Sequence, residues 1–200
     1  MSSGLDEDVI NFDAEGRKLL GLLNLSNEYL DGKSLYGNLD AIWRHPETGA
    51  MVYVGNQTAA RSLVTLQKHQ ITRVVNCTAD LPNYHASQEG IEYHRFDVSH
   101  LAYTSYHRPE MRECILTMFA FVEKALSEGQ SVLVHCLAGA HRAGATGISL
   151  LMHFGNYDHN TALLLAKTAR PIIQPIGRLV HFLDHLDIIL GNSVLITEEV

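Results

Sequence analysis

The segment at residues 130–155 constrains the fold more than any other part of the chain. It reads QSVLVHCLAGAHRAGATGISLLMHFG, which is an apolar strand, a short loop with glycine, and a run with the apolar spacing of a helix that ends at Gly155 and Asn156. In α/β folds, ligands bind where strands end and helices begin, and Cys136 lies at that junction. The segment therefore predicts an α/β domain with a ligand site on this loop.

The rest of the chain continues the alternation of strands and helices. Two extended runs flank a turn at residues 46–49, the helical pattern TAARSLVTLQKHQ follows, and ITRVVNC and IEYHRF have the composition of strands in a covered sheet. A helix begins at Pro109 and stops at Gly129, and two more helices lie near TALLLAKTAR, with Asp158 as its cap, and over 177–189. We therefore predict a central, mostly parallel sheet of about five strands flanked by helices.

The length and composition fit one domain. The chain has 200 residues, of which 46% are hydrophobic and 18% are charged, so that one full core can form. We expect an N-terminal extension over residues 1–35, a single folded domain over 36–192 and a tail over 193–200. The extension contains closely spaced leucines that could form a helix packed on the domain, or a contact with a partner: Leu19, Leu20, Leu22, Leu23 and Leu25.

Charge and cysteine usage narrow the function classes. The net charge of -7 argues against a general binder of nucleic acid or anionic membranes, which needs clustered Lys and Arg. Three cysteines are too few for a disulfide framework, the acidic N-terminus does not look like a targeting signal, and no apolar run is long enough to span a bilayer. We expect a reducing intracellular setting, the cytoplasm first, with the nucleus left open.

The loop after the strand VLVH has the features of a phosphate site. Gly139 and Gly144 allow a tight turn whose N-H groups point inward, and the following helix adds the positive end of its dipole. Arg142 can hold two phosphate oxygens at once, and these positive groups together favour the thiolate form of Cys136. His135 is expected to fix the nucleophile through a hydrogen bond. The predicted phosphate-binding residues are Leu137, Ala138, Gly139, Ala140, His141 and Arg142.

The sequence HCLAGAHRAG resembles the protein tyrosine phosphatase superfamily, and more closely its dual-specificity branch, whose loop usually reads His-Cys-x-x-Gly-x-x-Arg. The resemblance extends to MVYVGNQTAARSLVTLQKHQITRVVNCT and to SLLMHFGNYDHNTALLLAKTARPIIQP, so that it covers the chain from roughly residue 50 onward. It implies a protein tyrosine phosphatase-like sandwich, with residues 36–192 as its catalytic domain, and neither a cofactor nor a metal.

The resemblance also implies a role for each site residue. Cys136 attacks phosphorus, Arg142 and the loop amides hold the oxyanion, and Asp97, in YHRFDVSH, protonates the leaving oxygen and then deprotonates water. The alternative for Asp97 is a turn or capping residue. Phosphoinositide phosphatases of this superfamily usually carry Lys in the loop, and this loop has none. Phosphoproteins, with phosphotyrosine, phosphoserine or phosphothreonine, are therefore the expected substrates.

Two positions depart from the family pattern. Ala143 stands where the family has Ser or Thr, whose hydroxyl stabilises the thiolate during hydrolysis of the phosphocysteine, and Thr146 is a candidate substitute. We expect slower hydrolysis of the phosphoenzyme as a result. Ile176 follows Pro175 where Asn is common, so that the contact of that Asn is not carried over.

Several alternatives remain open from sequence. A pseudophosphatase would use the same loop for binding alone, and a rhodanese-like sulfur transferase or an arsenate reductase also has a Cys in an anion loop, although neither of those explains Asp97. His181 and His185 have a spacing that can bind metal, but a solvated helix face is the better explanation. Cys77 is either a buried thiol or a redox partner of Cys136, and Cys114 is assigned to packing.

Overall fold

The computed structural model describes residues 10–22 and 37–190. The elements in chain order are α1 (Phe12–Leu22), β1 (Leu39–Arg44), β2 (Met51–Gly55), α2 (Gln57–Arg61), α3 (Leu63–Lys68), β3 (Ile71–Asn76), β4 (Glu92–Arg95), α4 (Val98–Ala102), α5 (Pro109–Ser127), β5 (Ser131–His135), α6 (Arg142–Gly155), α7 (His159–Ala169), α8 (Arg178–Asp184) and α9 (Leu186–Leu190).

The strands form one sheet in the order β1-β2-β5-β3-β4. Only β1 runs antiparallel to its neighbour, and the other three pairings are parallel. This arrangement confirms the prediction of a mostly parallel sheet of five strands. His135, the last residue of the central strand β5, lies between Gly55 of β2 and Asn76 of β3. The carboxyl ends of three parallel strands therefore meet at one edge, where the loop of Cys136 begins.

Alternate residues of β5 face two different helical layers. Val132 and Val134 belong to the large core that contains α5, α6, α7 and α8, whereas Leu133 belongs to a smaller core with α2 and α3. All five residues of β5 are buried, because helices cover both faces of the sheet. The loop after β5 is thus attached to the most enclosed strand of the domain.

The predicted helix over TAARSLVTLQKHQ is divided, which corrects the sequence interpretation. Ser62 separates α2 from α3 with an extended backbone (φ -91°, ψ 99°), and its side chain accepts a hydrogen bond from the amide of Thr65. The serine therefore caps a second helix instead of continuing the first. In the same way, the helix predicted over 177–189 is divided into α8 and α9 at His185, and the short α4 was not predicted.

The N-terminal extension contains α1, which is consistent with the expected helix. Leu19, Leu20 and Leu22 fall within α1, whereas Leu23 and Leu25, like the tail at 193–200, lie outside the described residues. No helix in the described ranges combines the length and the apolar character needed to cross a membrane.

Candidate active site

The loop at residues 136–141 connects the buried strand β5 to α6. Cys136 is only 2% exposed, and its Sγ accepts a hydrogen bond from the backbone N-H of Gly139 at 3.3 Å. α6 begins at Arg142, so that the positive end of the helix dipole points toward the loop. The sulfur thus has a backbone N-H donor and a helix N-terminus beside it. The loop lies between a strand and a helix, as expected from the sequence, and the roles of its residues stay predictions.

Position 139 in this loop accommodates only glycine. Its φ of +66° lies in the left-handed region, and a Cβ there would come within 2.5 Å of the carbonyl oxygen of Gly55. Glycine is therefore required both by the backbone conformation and by the close approach of β2.

Arg170 supports the loop from the end of α7, a role that the sequence analysis missed. Its guanidinium is completely buried and donates hydrogen bonds to the carbonyl oxygens of Gly139 and Gly37, each at 2.9 Å, and to Oδ2 of Asp40 at 2.5 Å. The Arg-Pro segment contributed to the family resemblance, but nothing in its sequence indicates which carbonyl the side chain reaches.

Arg142 interacts electrostatically with Cys136 and is almost fully buried. Its Nη2 forms an ion pair with Oδ1 of Asp13 in α1, and its guanidinium lies 6.0 Å from the ring centre of Phe12. Burial by itself lowers the pKa of this guanidinium, but the negative charges of Cys136 and Asp13 outweigh burial and raise the pKa above its usual value. Arg142 therefore keeps its charge for anion binding, and Asp13 is a site residue that sequence reasoning did not identify.

Asp97 follows β4 and lines the same cavity of about 400 Å³ as Arg142 and Asp13. Its Oδ1 accepts hydrogen bonds from Oγ of Ser99 at 2.7 Å and from the amide of His100 at 3.3 Å. Asp97 therefore caps α4, as the alternative interpretation held, and it also faces the cavity as a candidate acid. The cap fixes the carboxyl group on a short helix at the rim of the site.

His135 is buried and neutral. Burial lowers its pKa to about 4, the positive charges of Arg95 and Arg142 act in the same direction, and a contact with the backbone of Cys136 opposes them. Neither ring nitrogen forms a hydrogen bond of normal geometry with any described residue. The contact with the backbone of Cys136 is thus the polar contact of this side chain in the described part of the chain, and its positioning role stays a prediction.

The variable loop residues are enclosed. Leu137, Ala138, Ala140 and His141 are each less than a tenth exposed, so that His141 is not a residue of the loop rim. Nδ1 of His141 donates to the carbonyl of Gln174 at 2.5 Å, and the amide of Gln174 donates to the carbonyl of Ala140. The segment after α7 therefore fixes the loop at two further points.

Thr146 does not replace the hydroxyl missing at Ala143. Its Oγ1 donates to the carbonyl of Arg142 at 3.0 Å and accepts from the thiol of Cys77 at 3.3 Å, so both interactions lie away from Cys136. Burial raises the pKa of the Cys77 thiol, only partly offset by the hydrogen bond to Thr146. Cys77 is therefore a protonated, buried thiol in this arrangement.

The histidine pair considered as metal ligands has other contacts. Nδ1 of His185 donates to the carbonyl of His181 at 2.7 Å, and its ring stacks on Tyr106 at 4.3 Å. Among the described residues, no three side chains of the metal-binding types form a cluster.

Comparison with known sequences identifies relatives of this chain. The sequence model of the family described as dual specificity phosphatase, catalytic domain, matches residues 52–186. The chain is 37% identical over 123 residues to dual specificity protein phosphatase 19 of Mus musculus, a match that covers 61% of this chain and 52% of that protein. It is 29% identical over 125 residues to dual specificity protein phosphatase Mpk3 of Drosophila melanogaster, covering 62% of this chain and 29% of that protein. The matches thus span less than two thirds of these relatives.

Solved structures share the fold at lower identity. Human DUSP28 superposes with a TM-score of 0.60 at 20% identity, covering 77% of this chain and 95% of that chain. The human tyrosine phosphatase-like serine/threonine/tyrosine-interacting protein gives a TM-score of 0.56 at 22% identity, covering 76% and 96%. Because the family match covers most of the chain, from β2 through α8 and including the loop of Cys136, the chain belongs to the dual specificity phosphatase family.

Proposed function

We propose that this protein is a phosphatase that hydrolyses phosphotyrosine and phosphoserine or phosphothreonine in proteins through a phosphocysteine intermediate. The observation that carries the proposal is that the sulfur of Cys136 accepts a hydrogen bond from the Gly139 amide in the loop before α6, while Arg142, the first residue of α6, lines one cavity with Asp97. Family membership supports the same activity.

In the first half of the reaction the Cys136 thiolate attacks phosphorus. The S-P bond forms as the bond to the leaving oxygen breaks, and Asp97 transfers its proton to that oxygen, because an alkoxide or phenolate leaves poorly without one. Arg142 and the loop amides stabilise the charge on the three non-bridging oxygens. The products are the dephosphorylated side chain and phosphocysteine.

In the second half, water attacks the phosphorus of the intermediate. Asp97, now ionised, accepts a proton from the water, the S-P bond breaks and the thiolate is restored as phosphate is released. The same carboxyl group therefore begins the cycle as an acid and ends it as an acid again.

Protein substrates fit the charge of the site better than polyphosphorylated lipids do. The loop at residues 136–141 contains neither Lys nor Arg, and Arg142 follows it directly as the first residue of α6. A ligand with several phosphates would find no second fixed cation in the loop, whereas one phosphate on a side chain is matched by the amides and Arg142.

Hydrolysis of para-nitrophenyl phosphate and of phosphopeptides tests the proposal. We expect Cys136→Ser to reduce turnover to the background, and Asp97→Asn to reduce it by about 10²- to 10⁴-fold on alkyl phosphates, with a smaller loss on aryl phosphates that have better leaving groups. Cys114→Ser, on α5, and Asp80→Asn, on the rim of the same cavity, are matched controls that should keep turnover. Full activity of Cys136→Ser would refute the mechanism.

A slow-turnover binding module is the second candidate, and one observation favours it. Ala143 has no hydroxyl, and that of Thr146 is engaged by Arg142 and Cys77. A rapid-quench experiment separates the candidates: a burst of one equivalent of phenol per enzyme followed by slow release indicates slow hydrolysis of phosphocysteine. A chain that binds phosphate but shows neither a burst nor steady-state release of phenol would be a pseudophosphatase.

A further inference from the structure

The first helix of the chain lies directly over the loop of Cys136. Phe12 is buried in the main core, a Cβ added at Gly16 would lie 3.3 Å from Cβ of Ala138, and Leu19 packs against Ala138 and Ala140. These positions are four and three residues apart, so one face of α1 contacts the loop. Glu15 and Lys18 pair with each other, and their side chains are 38% and 68% exposed. Two turns of helix therefore cover the site.

The carboxylate of Asp13 lies against Arg142, the side chain that is expected to bind phosphate. The two side chains form an ion pair, and the four consecutive residues 10–13 line the cavity that Asp97 and Arg142 share. The amide of Ile10 donates to the hydroxyl of Tyr103 at 3.1 Å, and Oδ1 of Asn11 accepts from the amide of Ala14. The first bond ties the segment to Tyr103 before Asp13, and the second closes the first turn of α1 across Asp13.

We propose that residues 10–22 form an internal pseudosubstrate, in which Asp13 takes the place of a substrate phosphate at Arg142 and α1 closes the loop of Cys136. The segment resembles a bound peptide in its chemistry, because an anionic side chain enters the cavity and the aromatic ring of Phe12 beside it packs against the guanidinium. The inference rests on the proposed function only in requiring that this loop binds a phosphate group.

The contact is suited to displacement. Asp13 offers a single negative charge and pairs through one carboxylate oxygen with one nitrogen of Arg142, whereas a phosphate dianion offers twice the charge and can meet both the guanidinium fork and the loop amides. The side chain of Asp13 is 21% exposed, so that solvent and ligands reach its outer side. A phosphorylated protein therefore competes with α1 for Arg142, and peptides with an apolar residue before the phosphorylated one should compete best.

Binding of inorganic phosphate to the full chain, measured by calorimetry, tests the proposal without requiring turnover. We expect Asp13→Asn to bind phosphate about tenfold more tightly than the parent chain. Glu15→Gln removes the same charge from the same helix, at a side chain that pairs with Lys18 and not with Arg142, and should leave the affinity within about twofold. An affinity of Asp13→Asn that is unchanged or weaker would overturn the proposal, and so would an equal gain in both variants.

A second variant separates closure from simple charge repulsion. Gly16→Leu keeps every charge but places a large side chain against Ala138, so that α1 must move away from the loop. We expect this variant also to bind phosphate more tightly, and Cys136 in both variants to react faster with the neutral reagent iodoacetamide, with Cys114 as the internal reference by mass spectrometry. Unchanged phosphate affinity and unchanged Cys136 reactivity in Gly16→Leu would exclude closure by α1.

The same measurements distinguish the two proposals. Tighter phosphate binding in Asp13→Asn and Gly16→Leu without any Cys136-dependent hydrolysis would leave the pseudosubstrate in place and refute the phosphatase. Cys136-dependent hydrolysis with no gain in phosphate binding in either variant would support the phosphatase and refute the pseudosubstrate.

Discussion

Ala143 is completely buried and directly follows Arg142. Dual specificity phosphatases usually have a Ser or Thr, and hence a hydroxyl, at this position. The sulfur of Cys136 has the Gly139 amide as a hydrogen-bond partner, and the next hydroxyl along α6, that of Thr146, is turned toward Cys77. In the proposed cycle the sulfur leaves as an anion when phosphocysteine is hydrolysed, and an additional donor would stabilise it. The missing hydroxyl thus bears on the second chemical step and not on the first.

Ala143→Ser should therefore accelerate hydrolysis of the phosphoenzyme without changing its formation. A hydrogen bond to a charged group contributes about 1.5–3 kcal/mol, which predicts an increase in steady-state turnover on the order of tenfold or more if this step limits the rate. Rapid-quench measurement of the burst and of the following steady state separates the two steps. Ala145→Ser adds the same hydroxyl to a neighbouring buried position and is the matched control. If Ala143→Ser changes neither the burst nor the steady-state rate, the absence of this hydroxyl does not slow hydrolysis of the phosphoenzyme.

At the scale of elements, the shape of the Cys136 loop is imposed by segments distant in sequence. Arg170, at the end of α7, holds the carbonyl of Gly139, and Gln174 holds Ala140 and His141. The guanidinium of Arg170 also bridges to Gly37 and Asp40, which precede and begin β1. Three segments of the chain therefore converge on one fully buried side chain.

Arg170→Lys tests this support. A lysine keeps the charge opposite Asp40 but cannot donate to several acceptors in a fixed planar geometry. We expect phosphate affinity and the rate of phosphocysteine formation each to fall about tenfold, together with a lower thermal midpoint. Arg112→Lys, on the exposed side of α5, makes the same change where no support of the loop is expected. A lower midpoint with unchanged phosphate binding would mean that Arg170 stabilises the fold without positioning the loop.

The elements and the loop differ in how well they could be predicted from the sequence. β2, β3 and β5 have apolar runs of strand length. The loop at residues 136–141 follows β5, contains Gly139 and is followed by Arg142. The local sequence pattern was therefore sufficient to predict these strands and the position of this loop. The division at Ser62 was missed because the apolar spacing continues through it, and only its cap to Thr65 reveals the break. Asp13 lies 129 residues from Arg142, and no local pattern indicates a contact over that separation.

At the scale of the whole molecule, burial of neutral imidazoles makes stability depend on pH. Burial lowers the pKa of His135 to about 4 from 6.5, and burial also lowers the pKa of His94. Between pH 6.5 and 4 the unfolded chain binds a proton at His135 that the folded chain does not, so the free energy of unfolding rises with pH across this window. The contribution is complete above pH 6.5 and is lost as the pH falls toward 4. For His135 alone it is on the order of 3 kcal/mol.

His135→Asn should remove this dependence. The asparagine does not titrate, so the difference in unfolding free energy between the parent chain and the variant should shrink as the pH falls from 7 to 4, by on the order of 3 kcal/mol. Urea unfolding at several pH values measures it, and the variant's own loss of stability at pH 7 cancels because only the change with pH is compared. Ser149→Ala, at another fully buried position whose side chain does not titrate, should give a difference that stays constant with pH. A constant difference for His135→Asn as well would mean that the ring takes up its proton in the folded chain, and His135 would then add a positive charge behind Cys136 in place of the neutral ring inferred from its burial.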